Sequence, residues 1–254
     1  MSNPLQRFRL TVAYDGTAYA GWQVQPRDPS VQQAIETVLA GLVSHPVKVH
    51  GSGRTDRGVH ARGQVAHMDL DTRMDAAALQ RALNARLPPD IRVLAAARAR
   101  PDFHARRSAV RKEYRYFVWN DPILPPERRL YAAHVRHELD VNRMRDAAQH
   151  FVGTHDFAAF TANPNREIEG TVRTVFAASV ARRGREIAFR VSGSGFLYKQ
   201  VRSMVGFLLR VGAGAEEPEA VRNLIDQAPV RTARVPSAPP QGLFLWRVWY
   251  GRRS

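Results

Sequence analysis

The sequence predicts an α+β fold of two ferredoxin-like, split-βαβ domains. Two observations predict it: the order βαββαβ can be read twice along the 254 residues, and each reading alternates short period-two strands with helices of period 3.6. A boundary near Arg100 gives an N-terminal α+β domain over residues 1–100 and a C-terminal one over residues 101–254. Either is long enough to bury a core of its own. No residue-level repeat accompanies the repeated order.

In the first half, Phe8, Leu10 and Val12 alternate as a strand. Ser30 and Gln33 form a capping box ahead of the apolar stripe Val31, Ala34, Ile35, Val38, Leu39 and Leu42. Val47 to Val49 reads as a short strand and Ala66, Met68 and Leu70 as a longer one, with the Gly-rich segment Gly51 to Gly63 between them. Asp75 caps a helix carrying Leu79, Leu83 and Leu87; Pro88 and Pro89 stop it, and Ile91 and Val93 open the fourth strand.

In the second half, a strand around Tyr114 to Val118 precedes a helix capped near Asp140, with Val141, Met144, Ala147, Ala148 and Phe151 on one face. Strands follow around Val172 to Val180 and Ile187 to Val191. Helices are expected from about Leu197 to Val211 and near Pro218 to Asp226. The last strand, Leu243 to Tyr250, is set off by Pro239, Pro240 and Gly242.

Composition bounds the function. Every apolar stretch is interrupted well before the roughly 18 to 20 residues a membrane span requires, so no membrane association is expected. Met1 to Arg9 has no apolar export core. The absence of Cys removes disulfides, thiolate nucleophiles and Cys-containing zinc sites, and fits a cytoplasmic location. None of the nine His stands in a metal-ligand pattern with nearby carboxylates. The net charge of +15 points to a nucleic-acid partner. Of the 38 basic residues all but Lys48, Lys112 and Lys199 are Arg, whose planar fork suits phosphate, although a GC-rich coding sequence produces the same skew. The linking segment Arg98 to Arg107 is strongly basic, and a groove between two such domains, rimmed with Arg, would suit a folded RNA.

The segment Gly51-Ser52-Gly53-Arg54-Thr55-Asp56-Arg57-Gly58-Val59-His60-Ala61 concentrates three glycines, two arginines and one carboxylate. It is not a phosphate loop, since Val59-His60 stands where Lys-Ser/Thr is required. An Asx turn with solvated arginines is the bland account of Asp56. The functional one is that a carboxylate between two guanidiniums is held ionised, available as a nucleophile or base.

Gly53-Arg54-Thr55-Asp56-Arg57-Gly58-Val59-His60-Ala61, with Gln64, resembles the catalytic motif of the TruA-type tRNA pseudouridine synthases. Tyr14-Asp15-Gly16-Thr17 with Tyr19, Gly21-Trp22-Gln23 and Gln25 resembles that family's N-terminal signature. Further likeness lies in Leu83-Asn84, Leu87-Pro88 and Asp90-Ile91, in Asp102-Phe103-His104-Ala105-Arg106, and in Lys112 with Tyr114-Arg115-Tyr116. It continues in Gly153-Thr154-His155-Asp156-Phe157 and from Gly195-Phe196-Leu197-Tyr198 through Val201-Arg202 to Val205-Gly206. Lys199-Gln200 departs from the pattern, which has a more apolar pair there.

The resemblance implies the pseudouridine synthase fold with a central cleft, a homodimer, no cofactor, and tRNA as substrate at uridines 38, 39 and 40 of the anticodon stem-loop. It gives Asp56 the catalytic role, Tyr114 the stacking on the target base, Arg202 the pairing with Asp56, and Arg54 the displacement of the base. Three routes are open to Asp56: attack on the ribose, deprotonation of the ribose, or addition to the uracil ring. From the residues alone, Tyr116 reads as a core aromatic, Arg54 also suits a plain phosphate contact, and Arg202 in an apolar helix calls for a carboxylate partner. His60 and His104 read as loop-orienting residues.

Two rival classes remain on the residues. A non-catalytic RNA-binding module would use surface aromatics and Arg on such sheets, but has no need of Asp56 in its most basic loop. A nucleic-acid glycosidase also cleaves at C1', but ordinarily employs two carboxylates.

Overall fold

The computed structural model describes residues 5–162, 170–227 and 232–251. The first four residues of the N-terminal segment considered above lie outside them. The chain forms two compact units: Met1–Val110 together with Leu245–Ser254, and Arg111–Phe244. The change of unit thus falls ten residues beyond the expected boundary at residue 100, and the last stretch of chain returns to unit 1.

Unit 1 follows the expected order: β1 (Gln6–Tyr14), α1 (Val31–Val43), β2 (His50–Gly51), β3 (His60–Leu70), α2 (Ala76–Arg86) and β4 (Ile91–Arg98). Its strands lie in the order β4-β1-β3, with β2 also on β3, and the three described pairings are antiparallel. That is the split-βαβ arrangement. The Ser30 and Asp75 side chains accept the N–H of Gln33 and Ala78 and start the two helices. Phe8 faces Met68 and Leu10 faces Ala66 across β1 and β3. These residues, with Ile35, Leu39, Leu79 and Leu83 of the helices, are almost wholly buried. Each large apolar side chain so buried contributes about 1.5–3 kcal/mol.

Two expectations in this unit shift. Val47 and Val49 are buried but form no strand, and α1 takes the polar groups of Val49: its N–H donates to Glu36 Oε1 (2.9 Å) and its C=O accepts from Gln32 Nε2 (3.1 Å). β2 lies one residue further on. β3 begins at His60, six residues before the visible alternation, and the buried polar residues His60 and Gln64 conceal its first part from an apolar pattern.

His50, His67 and His104 group beside β3, with ring centroids 5.0 Å apart for His50 and His67 and 4.7 Å for His67 and His104. Among the described residues no group of His, Asp or Glu is arranged to hold a metal ion. Burial, followed by the nearby His104, His50 and Arg7, pushes the His67 pKa down to about 4, against the opposing pull of Asp69. His104 is lowered for the same leading reason. An unfolded His titrates near 6.5, so between about pH 6.5 and 4 the unfolded chain takes up a proton that folded His67 refuses. Stability should therefore be complete above about pH 6.5 and decline as pH falls through that window. Denaturant midpoints at a series of pH values should show the decline in the parent chain and a flatter profile in His67→Asn.

Unit 2 contains most of β5 (Ala109–Asn120), then β6 (Ala133–Val135), α3 (Val141–Gln149), β7 (Gly153–Asp156), β8 (Val172–Arg183), β9 (Glu186–Gly193), α4 (Gln200–Gly212) and α5 (Ala220–Gln227). β10 (Leu243–Tyr250) begins here and from Leu245 belongs to unit 1. The strand order β5-β9-β8 is extended by β7 on β8, while β6 pairs in parallel with β5. Asp140 caps α3, its carboxylate accepting from the N–H groups of Asn142 and Arg143. Tyr116 stands opposite Phe189 and Val180 also meets Phe189. With Met144, Ala147, Met204 and Phe207 they form the core. Phe160 meets Phe151 and Phe207 edge-on, at 5.1 and 6.1 Å. β6 and β7 were not expected, being three and four residues long with no apolar alternation. No helix among the described residues is long and apolar enough to cross a membrane.

Candidate active site

Asp56 lies in the turn that leads into β3. Its C=O accepts the N–H of Val59 (3.1 Å), and Gly58 sits between them at φ +74, a left-handed conformation that suits glycine. The segment after β1 docks against this turn. Trp22 N–H donates to Thr55 C=O (3.1 Å), Gly58 N–H to Tyr19 C=O (3.4 Å), and Gly21 forms an isolated antiparallel bridge with Asp56. Gly21 has φ +111, and a Cβ there would lie 2.3 Å from Thr55 C=O, so the two backbones meet this closely only because position 21 has no side chain.

Buried side chains fix the same turn from below. Tyr14 and Thr55 share a hydrogen bond of 2.8 Å between their hydroxyls. Ser52 donates to Gln64 Oε1 (2.6 Å), while Gln64 Nε2 donates to Gly53 C=O (2.8 Å). His60, fully buried, accepts the Gly16 N–H at Nδ1 (3.0 Å) and lies 3.1 Å from Asp15 Oδ1. The imidazole thereby joins the segment after β1 to the start of β3. Thr55 and Gln64 are buried, Asp56 is half-buried and Arg54 is exposed. One flank of the carboxylate differs from the sequence-level picture of two equivalent arginines: Arg57 donates to Asp28 Oδ2 at 2.8 Å.

Tyr114 and Arg202 belong to unit 2. Tyr114 lies on β5 and meets Phe196 edge-on at 5.3 Å, retaining 8 % exposure. Tyr116, two residues on, is fully buried and donates to Pro239 C=O (2.8 Å), the core position expected of it. Arg202 lies on α4 and exchanges two bonds with one residue: its Nε donates to Ala238 C=O (2.7 Å) and its C=O accepts from Ala238 N–H (2.9 Å). At the start of α4, Lys199 takes the left-handed φ of 56, and buried Gln200 accepts the Leu197 N–H through Oε1 (2.8 Å). At the Lys199-Gln200 departure the Gln200 Oε1 is thus used inside the turn, while its buried Nε2 makes no hydrogen bond among the described residues.

Sequence reasoning passed over the supports of the turn. Tyr14 and Gln64 stood within the quoted motifs, but only their burial shows that they carry the loop. The signal available was Tyr14 continuing the alternation of Phe8, Leu10 and Val12.

Comparison with known proteins agrees with the likeness seen in the sequence. The family described as tRNA pseudouridine synthase matches residues 10–106 and 147–251. The chain is 48 % identical over 246 residues to the tRNA pseudouridine synthase A of an Exiguobacterium species, covering 97 % of this chain and 98 % of that one. It is 45 % identical over 246 residues to the protein of the same name from Geotalea uraniireducens, covering 97 % and 100 %. For that of Maridesulfovibrio salexigens the identity is 45 % over 250 residues, covering 97 % and 91 %. Likeness of this order, sustained over nearly the full length of each pair, means that the chain belongs to the tRNA pseudouridine synthase family and is an isomerase of α+β pseudouridine synthase fold.

Proposed function

We propose that the chain converts uridine to pseudouridine in the anticodon stem-loop of tRNA, at positions 38, 39 and 40, with Asp56 as the catalytic carboxylate. The observation that carries the reading is the investment in one turn: a bridge to Gly21, a buried hydroxyl pair and a buried amide all fix the backbone around a carboxylate that remains partly open to solvent. A fixed, accessible carboxylate is what a single-residue isomerisation needs. The bond between C1' and N1 breaks, a bond between C1' and C5 forms, the proton on C5 leaves, and N1 gains one. No electrons are exchanged with a partner, so no cofactor enters the balance.

Arg54, exposed and adjoining the turn, occupies the space that the displaced base vacates. Tyr114 stacks on the target base, and base–aromatic stacking of about 1–3 kcal/mol holds a nucleotide out of its helix. Arg202 takes the substrate-site role that the family resemblance gives it. The chain acts as a cytoplasmic homodimer.

The test is tRNA carrying tritium at uracil C5, assayed for release to water and then mapped for pseudouridine. Release with pseudouridine at positions 38–40 is the expected result; free uracil would identify a glycosidase, and binding without release a passive RNA-binding module. Gly21→Ala probes the support of the turn. With a Cβ 2.3 Å from Thr55 C=O, the variant must move the Thr55–Asp56 backbone, and displacement of a catalytic group by about 1 Å costs on the order of 100-fold in rate. Single-turnover rates should show that loss while Gly41→Ala, on α1 with open space around it, stays near the parent rate.

A further inference from the structure

The basic segment between β4 and β5 is held to unit 1 by a set of side chains from β1, β3, β10 and the segment itself. Arg7, paired with both oxygens of Asp69, donates through Nη1 to the C=O groups of Pro101 (2.5 Å) and Phe103 (2.9 Å). Tyr250 of β10 donates to Ala105 C=O (2.7 Å). His67 Nδ1 accepts the Ala105 N–H (3.2 Å), and His104 Nδ1 accepts the N–H groups of both Arg106 (3.2 Å) and Arg107 (3.3 Å). Ser108 closes the turn, its hydroxyl accepting from His104 N–H (3.0 Å) and its N–H donating to His104 C=O (2.9 Å).

Both imidazoles act here as acceptors at Nδ1, which a neutral ring allows and a protonated ring does not. The rings lie against each other, and Phe103 meets both His67 and Tyr250. What this arrangement presents is specific. Arg100 is engaged by Asp102. Arg106 and Arg107 are exposed, and among the described residues their guanidiniums have no hydrogen-bond or ion-pair partner. Ordering a backbone to display two adjacent cations costs conformational entropy and brings like charges together, a cost that binding of an anion offsets.

We propose that Arg106 and Arg107 form a phosphate-binding pair of the RNA surface, and that His67 is the positioning residue that sets it, acting through Ala105 and the adjoining, tilted His104 ring. The phosphates are those of a tRNA backbone, so the proposal rests on the reading of the chain as a tRNA enzyme.

The experiment measures binding of an unmodified tRNA transcript as a function of salt, alongside kcat and KM for pseudouridine formation. Each phosphate contact contributes about 0.7–0.9 to the slope of log K against log salt. Arg106→Ala/Arg107→Ala should lower the slope by about 1.4–1.8 and raise KM, with kcat at saturating tRNA within about twofold of the parent. His67→Leu, which keeps an apolar volume but no acceptor, should lower the slope by at least half as much, again through KM. His67→Asn, whose Oδ1 can take the Ala105 N–H, should restore it.

Adding His67→Leu to the double Arg variant should cost little more. An unchanged slope in the double Arg variant overturns the proposal, and that variant alters only exposed side chains, so it tests the pair even should His67→Leu fail to fold. A His67→Leu loss that adds in full to the Arg losses, or that falls on kcat alone, removes His67 from the role. Binding that behaves as described in a chain that forms no pseudouridine would leave the pair intact and sink the catalytic reading instead.

Discussion

Asp56→Asn should abolish pseudouridine formation while tRNA affinity stays within a few-fold of the parent. The amide matches the carboxylate in size but is neither nucleophile nor base, so every route open to Asp56 closes together. The fold around it should tolerate the change. The Asp56 backbone makes the turn to Val59 and the bridge to Gly21, and neither depends on the side-chain charge. Affinity is expected to come from phosphate contacts by a chain of net charge +15, and the substitution adds to that charge rather than subtracting from it. The measurement is tritium release under single-turnover conditions beside a binding isotherm at fixed salt. Turnover near the parent rate would remove Asp56 from the chemistry; a collapse of binding in proportion to turnover would make it a structural residue of the turn.

Arg54→Ala should slow modification of a paired stem uridine by roughly ten- to a hundredfold, and that of a mismatched uridine far less. The reason is the unstacking cost of a few kcal/mol, which the paired substrate bears in full and the mismatched one largely escapes. Arg54 is exposed beside a fixed backbone, and Gln64 holds the preceding residue, Gly53, by its C=O. Its own guanidinium is therefore displayed rather than spent on the fold. Arg54→Lys should recover little, since an ammonium lacks the planar fork that stacks in the vacated space and bonds neighbouring groups. Two anticodon stem-loops differing only in the pairing of the target uridine supply the comparison. Equal losses on both would assign Arg54 to the phosphates or to Asp56.

What was legible in the sequence was what local chemistry decides. Ser30, Asp75 and Asp140 were readable as caps because a side chain two or three residues from a free N–H is a local matter, and each makes that bond. The Gly-Arg-Thr-Asp loop was legible from composition. Its supports were not, because they join distant residues: Tyr14 to Thr55, Asp28 to Arg57, Gly21 to Asp56. Val47 to Val49 misled for the same reason, since two side chains of α1 supply the hydrogen bonds that a neighbouring strand would otherwise have provided. The final strand was placed correctly along the chain and assigned wholly to the second half. Nothing in Leu243 to Tyr250 announces that Tyr250 will bond to Ala105.

That return has a consequence for synthesis on the ribosome. Unit 1 is begun first and finished last, because the residues from Leu245 onward emerge only after all of Arg111–Phe244 has been made. The second unit has its own residues in hand before the first has all of its own. During that interval Ala105 C=O has no Tyr250 hydroxyl and Phe103 no Tyr250 ring, so the segment bearing Arg106 and Arg107 waits on translation of residues 245–250. A chain cut before Leu245 would therefore lack part of the unit that carries Asp56, although the sequence of that unit's first 110 residues is untouched.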